Sequence, residues 1–135
     1  LYKAIIEGIL YGLREGKERF EKRAKVEIRA LRACGGGAQS DQAVQIAADI
    51  FGLPVERPHT HEASGLGAAI DAAVGMGLHP DFETAVSRMT RIRDVFHPNP
   101  DAYQVYDQLY ERVYKKLYSR LQPLYHAIRQ ITGYP

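Results

Sequence analysis

RACGGGAQSDQ, residues Arg32 to Gln42, sets three consecutive glycines between an apolar run and the start of a helix. Glycine permits left-handed backbone and close approach at an entropic cost, so Gly35, Gly36 and Gly37 form either a sharp turn or a cradle for a ligand. The elements on either side decide between the two. Upstream, KVEIRALRA (residues 25–33) alternates Val26, Ile28 and Ala30 with Glu27 and Arg29, then turns apolar, as a strand entering a buried sheet does. Downstream, Ser40 or Asp41 can cap a helix in which Val44, Ala47, Ala48 and Phe51 recur at helical spacing, before Gly52 and Pro54 stop it.

Farther out, LYKAIIEGILYGLREGKERFEKR repeats Tyr2, Ile5, Ile6, Ile9, Leu10 and Leu13 at three- and four-residue spacing, which predicts an amphipathic helix. Gly8, Gly12 and Gly16 lie on a neighbouring stripe, where a closely apposed partner is expected to offset their poor helix propensity. After the glycines come a short strand near Val55, a small-residue helix opened by Glu62 and expected to be interior, and a short helix capped near Pro80 and Asp81. DVFHPNPDAY reads as a turn. The longest helical pattern then runs from Asp101 to about Ile131, its core stripe spanning Tyr103 to Ile128 and Pro123 expected to bend or break it. This is an α/β order, helix-rich with few strands. Two strands make a poor sheet, so neighbouring strands are expected from sequence upstream of Leu1 or from a second copy.

Composition narrows the function classes. At 135 residues and 45% hydrophobic, one domain is expected, burying roughly two thirds of its unfolded surface. A formal charge of +2 is too mild to argue for nucleic acid or a membrane surface, and no apolar stretch reaches the ~20 residues that span a bilayer. The single cysteine, Cys34, fits a reducing, cytoplasmic compartment and reads as a buried, inert thiol. His59, His61 and Glu62 mimic a metal-ligand cluster but lack a second pair at suitable spacing, and read as solvated loop residues. The basic stretch from Arg14 to Arg32 reads as a solvated surface. Tyr103, Tyr106, Tyr110, Tyr114, Tyr118 and Tyr125 read as amphipathic core residues rather than a stacking platform.

GGGAQSDQAVQIAADIFGLPVERP followed by EASGLGAAIDAAVGMGL closely resembles the C-terminal domain of the FGGY family of carbohydrate kinases, within the actin, Hsp70 and sugar-kinase ATPase superfamily. AIIEGILYGLRE before it and YDQLYERVYKKLYSRLQPLY after it extend the resemblance over nearly the whole chain. The resemblance implies a partial ribonuclease H-like (actin-like ATPase) domain. Residues 1–135 would be the latter part of the family's C-terminal domain, with the N-terminal sugar-binding and catalytic domain absent. It implies transfer of the γ-phosphate of ATP, accompanied by Mg²⁺, to a sugar or polyol hydroxyl. This chain alone is then expected to be inactive, with no catalytic residue and no metal ligand of its own.

What carries over is the adenosine motif. The resemblance places Gly35, Gly36, Gly37 and Ala38 against the nucleotide, with backbone amides near the ribose and α-phosphate, and Ser40 and Asp41 at the polar edge near the adenine. Glu62 to Ala69 would support that loop by close packing. Ala43 stands where many relatives carry a tryptophan, and Gly65 where an alanine is usual. The alternative is a noncatalytic helical module that pairs through an exposed sheet edge or its long C-terminal helix. A homo-oligomer is expected on either reading.

Overall fold

The computed structural model describes residues 1–134; Pro135, the last residue of the range assigned above, lies outside them. Helix α1 (Tyr2–Ala24) ends where Lys25 adopts a left-handed conformation at φ 55°, with Lys22 and Arg23 facing the negative end of the helix dipole. Strand β1 (Leu31–Arg32) leads through the glycines into α2 (Asp41–Phe51), followed by β2 (Val55–Pro58), α3 (Ala63–Gly75), α4 (Phe82–Met89), β3 (Ile92–Phe96), α5 (Pro100–Leu109) and α6 (Lys115–Thr132). A π-helical turn, Tyr110–Tyr114, joins the last two helices. The sheet order is β1-β2-β3: β1 runs parallel to β2 across the α2 crossover, and β3 lies antiparallel on the other side.

Three expectations about the strands need correction. The strand expected over residues 25–33 shrinks to Leu31 and Arg32, which face Val55 and Glu56. Residues ahead of them find no strand neighbour among the described residues, and the Ile28 amide donates instead to the Glu21 carboxylate at 2.8 Å. A third strand, β3, occupies residues expected to close a helix and form a turn. It pairs Asp94 with Arg57 and Phe96 with Val55, so β2 is central rather than one of a lone pair.

The core has two parts. Ala38, Val44, Ala47, Ala48 and Val55 pack under α2 and the sheet, flanked by Leu10, Leu31, Ala33 and Phe96. Tyr11, Ile50, Tyr106 and Tyr110 form the second, where α1 and α5 meet on α2. Here the tyrosine reading holds: the rings of Tyr11 and Tyr110 stack at 5.8 Å and those of Tyr110 and Tyr114 at 5.7 Å, while the Tyr106 hydroxyl donates to Glu7 at 2.7 Å. Such ring pairs contribute about 1 kcal/mol each beyond the area they bury. Tyr118 and Tyr125 are exposed, so the core reading fails for these two, which lie on a helix that buries no residue.

Burial on α1 differs from its apolar stripe. Tyr11 and Arg14 are buried, whereas Ile5, Ile9 and Leu13 are exposed. Of the glycine stripe only Gly12 has a close neighbour, the Tyr114 hydroxyl 3.4 Å from where a Cβ would stand; Gly8 and Gly16 have none within 4 Å. Helix α3 is not interior: only Ile70 and Ala73 are buried, because it packs chiefly on α4. Helix α6 runs through Pro123 and buries no residue. The core stripe expected along residues 103–128 therefore ends at Tyr110. No helix among the described residues is long and apolar enough to cross a membrane.

Candidate functional site

The turn that leaves β1 is built by one glycine and left open by two others. Gly35 sits at φ 82°, ψ −178°, a region essentially reserved for glycine, and its amide donates to the His61 carbonyl at 2.9 Å. A 3₁₀ turn over Gly36–Gln39 follows, closed by the Ala38 amide on the Gly35 carbonyl at 3.1 Å. Ser40 then caps α2, its side-chain oxygen accepting the Ala43 amide at 3.3 Å, as the capping pattern predicts. The six expected site residues, Gly35, Gly36, Gly37, Ala38, Ser40 and Asp41, thus lie together between strand and helix, all but the buried Ala38 on one surface.

Within that group the residues divide. Ala38 is buried in the core and its amide is taken within the turn. Gly36 and Gly37 are exposed, neither lies at positive φ, and a Cβ at either would meet nothing within 4 Å. Neither of their amides is taken by a backbone carbonyl. Turn geometry accounts for Gly35; it does not account for Gly36 or Gly37. Two small residues with available amides, where nothing in the chain needs them small, fit an incoming group that approaches the backbone.

The residue that organises this surface was not singled out from the sequence. Arg57, on the central strand, is 8% exposed. Its Nη1 donates to the Ala38 carbonyl at 3.1 Å and to Asp41 Oδ1 at 2.6 Å, and its Nε donates to Asp94 Oδ2 at 2.8 Å. The guanidinium carbon lies 5.0 Å from the centre of the Phe96 ring. Hydrogen bonds donated to Asp41 first, then to Asp94, hold the Arg57 guanidinium above its ordinary range, while Arg93 and then Arg57 hold the Asp94 carboxyl below its own. One signal was present in the sequence. Val55 and Arg57 are two apart on a strand and so share a face, and an arginine beside a core valine needs anionic partners.

Two cavities border the turn. A polar cleft of about 140 Å³ reaches Gln39, Arg57, His61 and Arg93, smaller than the ~300 Å³ at which small-molecule pockets begin. An apolar groove of about 800 Å³ runs between α1, β1 and α2, lined by Ile9, Leu13, Phe20, Leu31, Cys34 and Ala43 among others. Cys34 is exposed on this groove rather than buried, because the short β1 leaves its side uncovered. The histidines do not converge: His61 Nε2 lies 3.1 Å from Glu62, whereas His59 turns to the Arg91 carbonyl. No three His, Cys, Asp or Glu side chains among the described residues are arranged to hold a metal ion. The chemistry this surface offers is recognition by backbone amides and one fixed carboxylate.

Residues 1–76 match the C-terminal domain of the FGGY family of carbohydrate kinases. The chain is 36% identical over 109 residues to the uncharacterized sugar kinase YgcE of Escherichia coli (strain K12), covering 81% of this chain and 22% of that protein. It is 36% identical over 106 residues to xylulose kinase of Staphylococcus epidermidis, covering 78% and 21% respectively. Its fold matches the crystal structure of ligand-bound xylulose kinase from Lactobacillus acidophilus with a TM-score of 0.80 and 26% identity, over 93% of this chain and 25% of that one. The chain therefore spans about a fifth of the length of the curated relatives it matches.

Proposed function

Because this chain belongs to the FGGY family of carbohydrate kinases, whose solved members have the actin-like ATPase fold, we propose that it supplies the nucleotide-holding part of an ATP-dependent sugar or polyol kinase. The observation that carries the reading is the pair Gly36 and Gly37, glycines that neither conformation nor packing requires. Their amides would face the ribose and α-phosphate of ATP, and Ser40 and Asp41 would border the adenine. Bound ATP supplies the transferable phosphoryl group. This chain's residues hold and orient the other end of the cofactor, with recognition energy arising from preformed donors. The ligands of a Mg²⁺ bound to the phosphates, the base that activates the hydroxyl and most sugar contacts would come from residues outside this chain. Those residues would also cover the apolar groove, making residues 1–135 the latter part of the family's C-terminal domain.

Hydrogen exchange of the full-length protein, with and without ADP, tests the assignment. Slower exchange over residues 35–41 on adding ADP is expected; protection elsewhere with none over these residues would reject it. Turnover of ATP with one member of a panel of sugars and polyols, and its loss when residues 1–135 are assayed alone, tests the division of labour.

A further inference from the structure

We propose that Arg57 is a positioning residue for the nucleotide: it fixes the rear of the glycine turn and the Asp41 carboxylate to the central strand, so that the turn is preset before the cofactor arrives. The inference rests on the reading of the turn given above. It begins from what the Arg57 side chain touches. A buried arginine on a central strand is costly to keep, and an apolar residue there could pack against Phe96 and Val55 instead. Its Nη1 reaches the Ala38 carbonyl, the rear of the 3₁₀ turn, and Asp41, the first residue of α2. Both belong to the six residues that carry the site.

The guanidinium is itself immobilised. Asp94 holds Nε at 2.8 Å from the neighbouring strand, and the guanidinium carbon lies over the Phe96 ring. A planar fork held on two edges has little freedom left, so the atoms it binds inherit its position. The consequence for binding is twofold. The turn need not order itself when a ligand arrives, which removes an association cost. Asp41, whose side chain is 73% exposed, also meets the ligand with its charge balanced rather than repelling the phosphates that Gly36 and Gly37 would face.

Arg57→Lys in the full-length kinase keeps the charge but loses the fork. It should raise Kd for ADP and KM for ATP about 10-fold, the scale on which displaced contacts weaken recognition, while KM for the sugar stays within about twofold. Exchange over residues 35–41 in the nucleotide-free enzyme should speed up. Asp94→Ala removes the acceptor at the far edge of the guanidinium without touching the turn, and should shift ADP affinity the same way by about threefold, a change of about 0.7 kcal/mol. It carries the test if Arg57→Lys does not fold. A purely structural role predicts a lower melting temperature with unchanged ADP affinity in the folded enzyme. If ADP protects residues 35–41 in the natural protein yet neither variant changes ADP affinity, the positioning role is overturned and the site reading stands. If ADP leaves these residues unprotected in the natural protein, the site reading fails and this inference with it.

Discussion

Arg14 lies 4.2 Å from the centre of the Tyr110 ring, buried where α1 meets the helix that carries Asp107, 93 residues later in sequence. Its Nη1 donates to the Ile50 carbonyl at 2.9 Å and its Nη2 pairs with Asp107, so one side chain ties α1 to the end of α2 and to α5. Burial alone would depress the guanidinium, and the Asp107 pairing together with Tyr103 and Glu18 more than offsets this. Arg14→Met should cost about 3 kcal/mol, since it leaves the Ile50 carbonyl and Asp107 without their donor. Denaturant unfolding of the full-length protein reads this. A loss below about 0.5 kcal/mol would show that the pairing is not structural.

Gly35 and its two successors should respond oppositely to alanine. Gly35→Ala forces a side chain into backbone that only glycine adopts readily, and should cost about 1–3 kcal/mol of stability. Gly36→Ala and Gly37→Ala meet no neighbour and no conformational barrier, and should leave the melting temperature within about 2 °C while weakening ADP binding about 10-fold. Equal ADP affinity in all three variants would separate the glycines from the nucleotide.

Gly52 ends α2 at φ 64°, and a Cβ there would stand 2.5 Å from Tyr103 Cε2. Gly52→Ala therefore combines conformational strain with a clash, and about 3 kcal/mol is expected. Adding Tyr103→Ala should recover part of that loss, leaving the strain at Gly52; a double variant no better than Gly52→Ala would refute the clash.

Alkaline pH should unfold the protein through two tyrosines. Burial, followed by the Glu7 hydrogen bond at Tyr106 and the Glu18 charge at Tyr110, pushes both hydroxyls well above the ordinary tyrosine range. The folded state thus keeps protons that the unfolded chain releases near pH ~10. Their contribution is complete below that pH and declines as pH rises toward the folded values. Stability measured between about pH 9 and 11 should fall, and Tyr106→Phe with Tyr110→Phe should flatten the slope. An unchanged slope in that variant would assign the decline to other groups.

Cys34 reports on what covers the apolar groove. If residues outside this chain complete the domain over it, a thiol reagent should modify Cys34 in the native full-length protein at least ~10-fold more slowly than in the denatured one. Equal rates would mean that the groove is open in the whole protein.

Helix starts and stops were the most legible features, because capping is local chemistry: Ser40, Gly52 and Asp81 act within three or four residues of themselves. Burial was less legible. The apolar spacing of α1 identified a helix but not which face would be covered, and the covered face holds Tyr11 and Arg14 because their partners come from α2 and α5. The third strand was hidden by Arg93 and Asp94 in the middle of IRDVF, charges that serve the Arg57 cluster rather than marking a turn. In the candidate site, the glycines announced themselves by type. Arg57 was marked in the sequence only by sharing a strand face with Val55, and its partners Asp41 and Asp94 stand 16 and 37 residues away.

The π turn at Tyr110–Tyr114 acts as a phase shifter. One extra residue in a helix rotates everything beyond it by about 100° relative to an uninterrupted helix. Up to the first residue of the π turn, Tyr106 and Tyr110 address the core; downstream, no residue of α6 is buried. Deleting a single residue between Tyr110 and Tyr114 would let the segment close as ordinary α-helix and swing the whole of α6 onto a different azimuth. The heading of the last 18 helical residues is therefore set by the residue count in one turn.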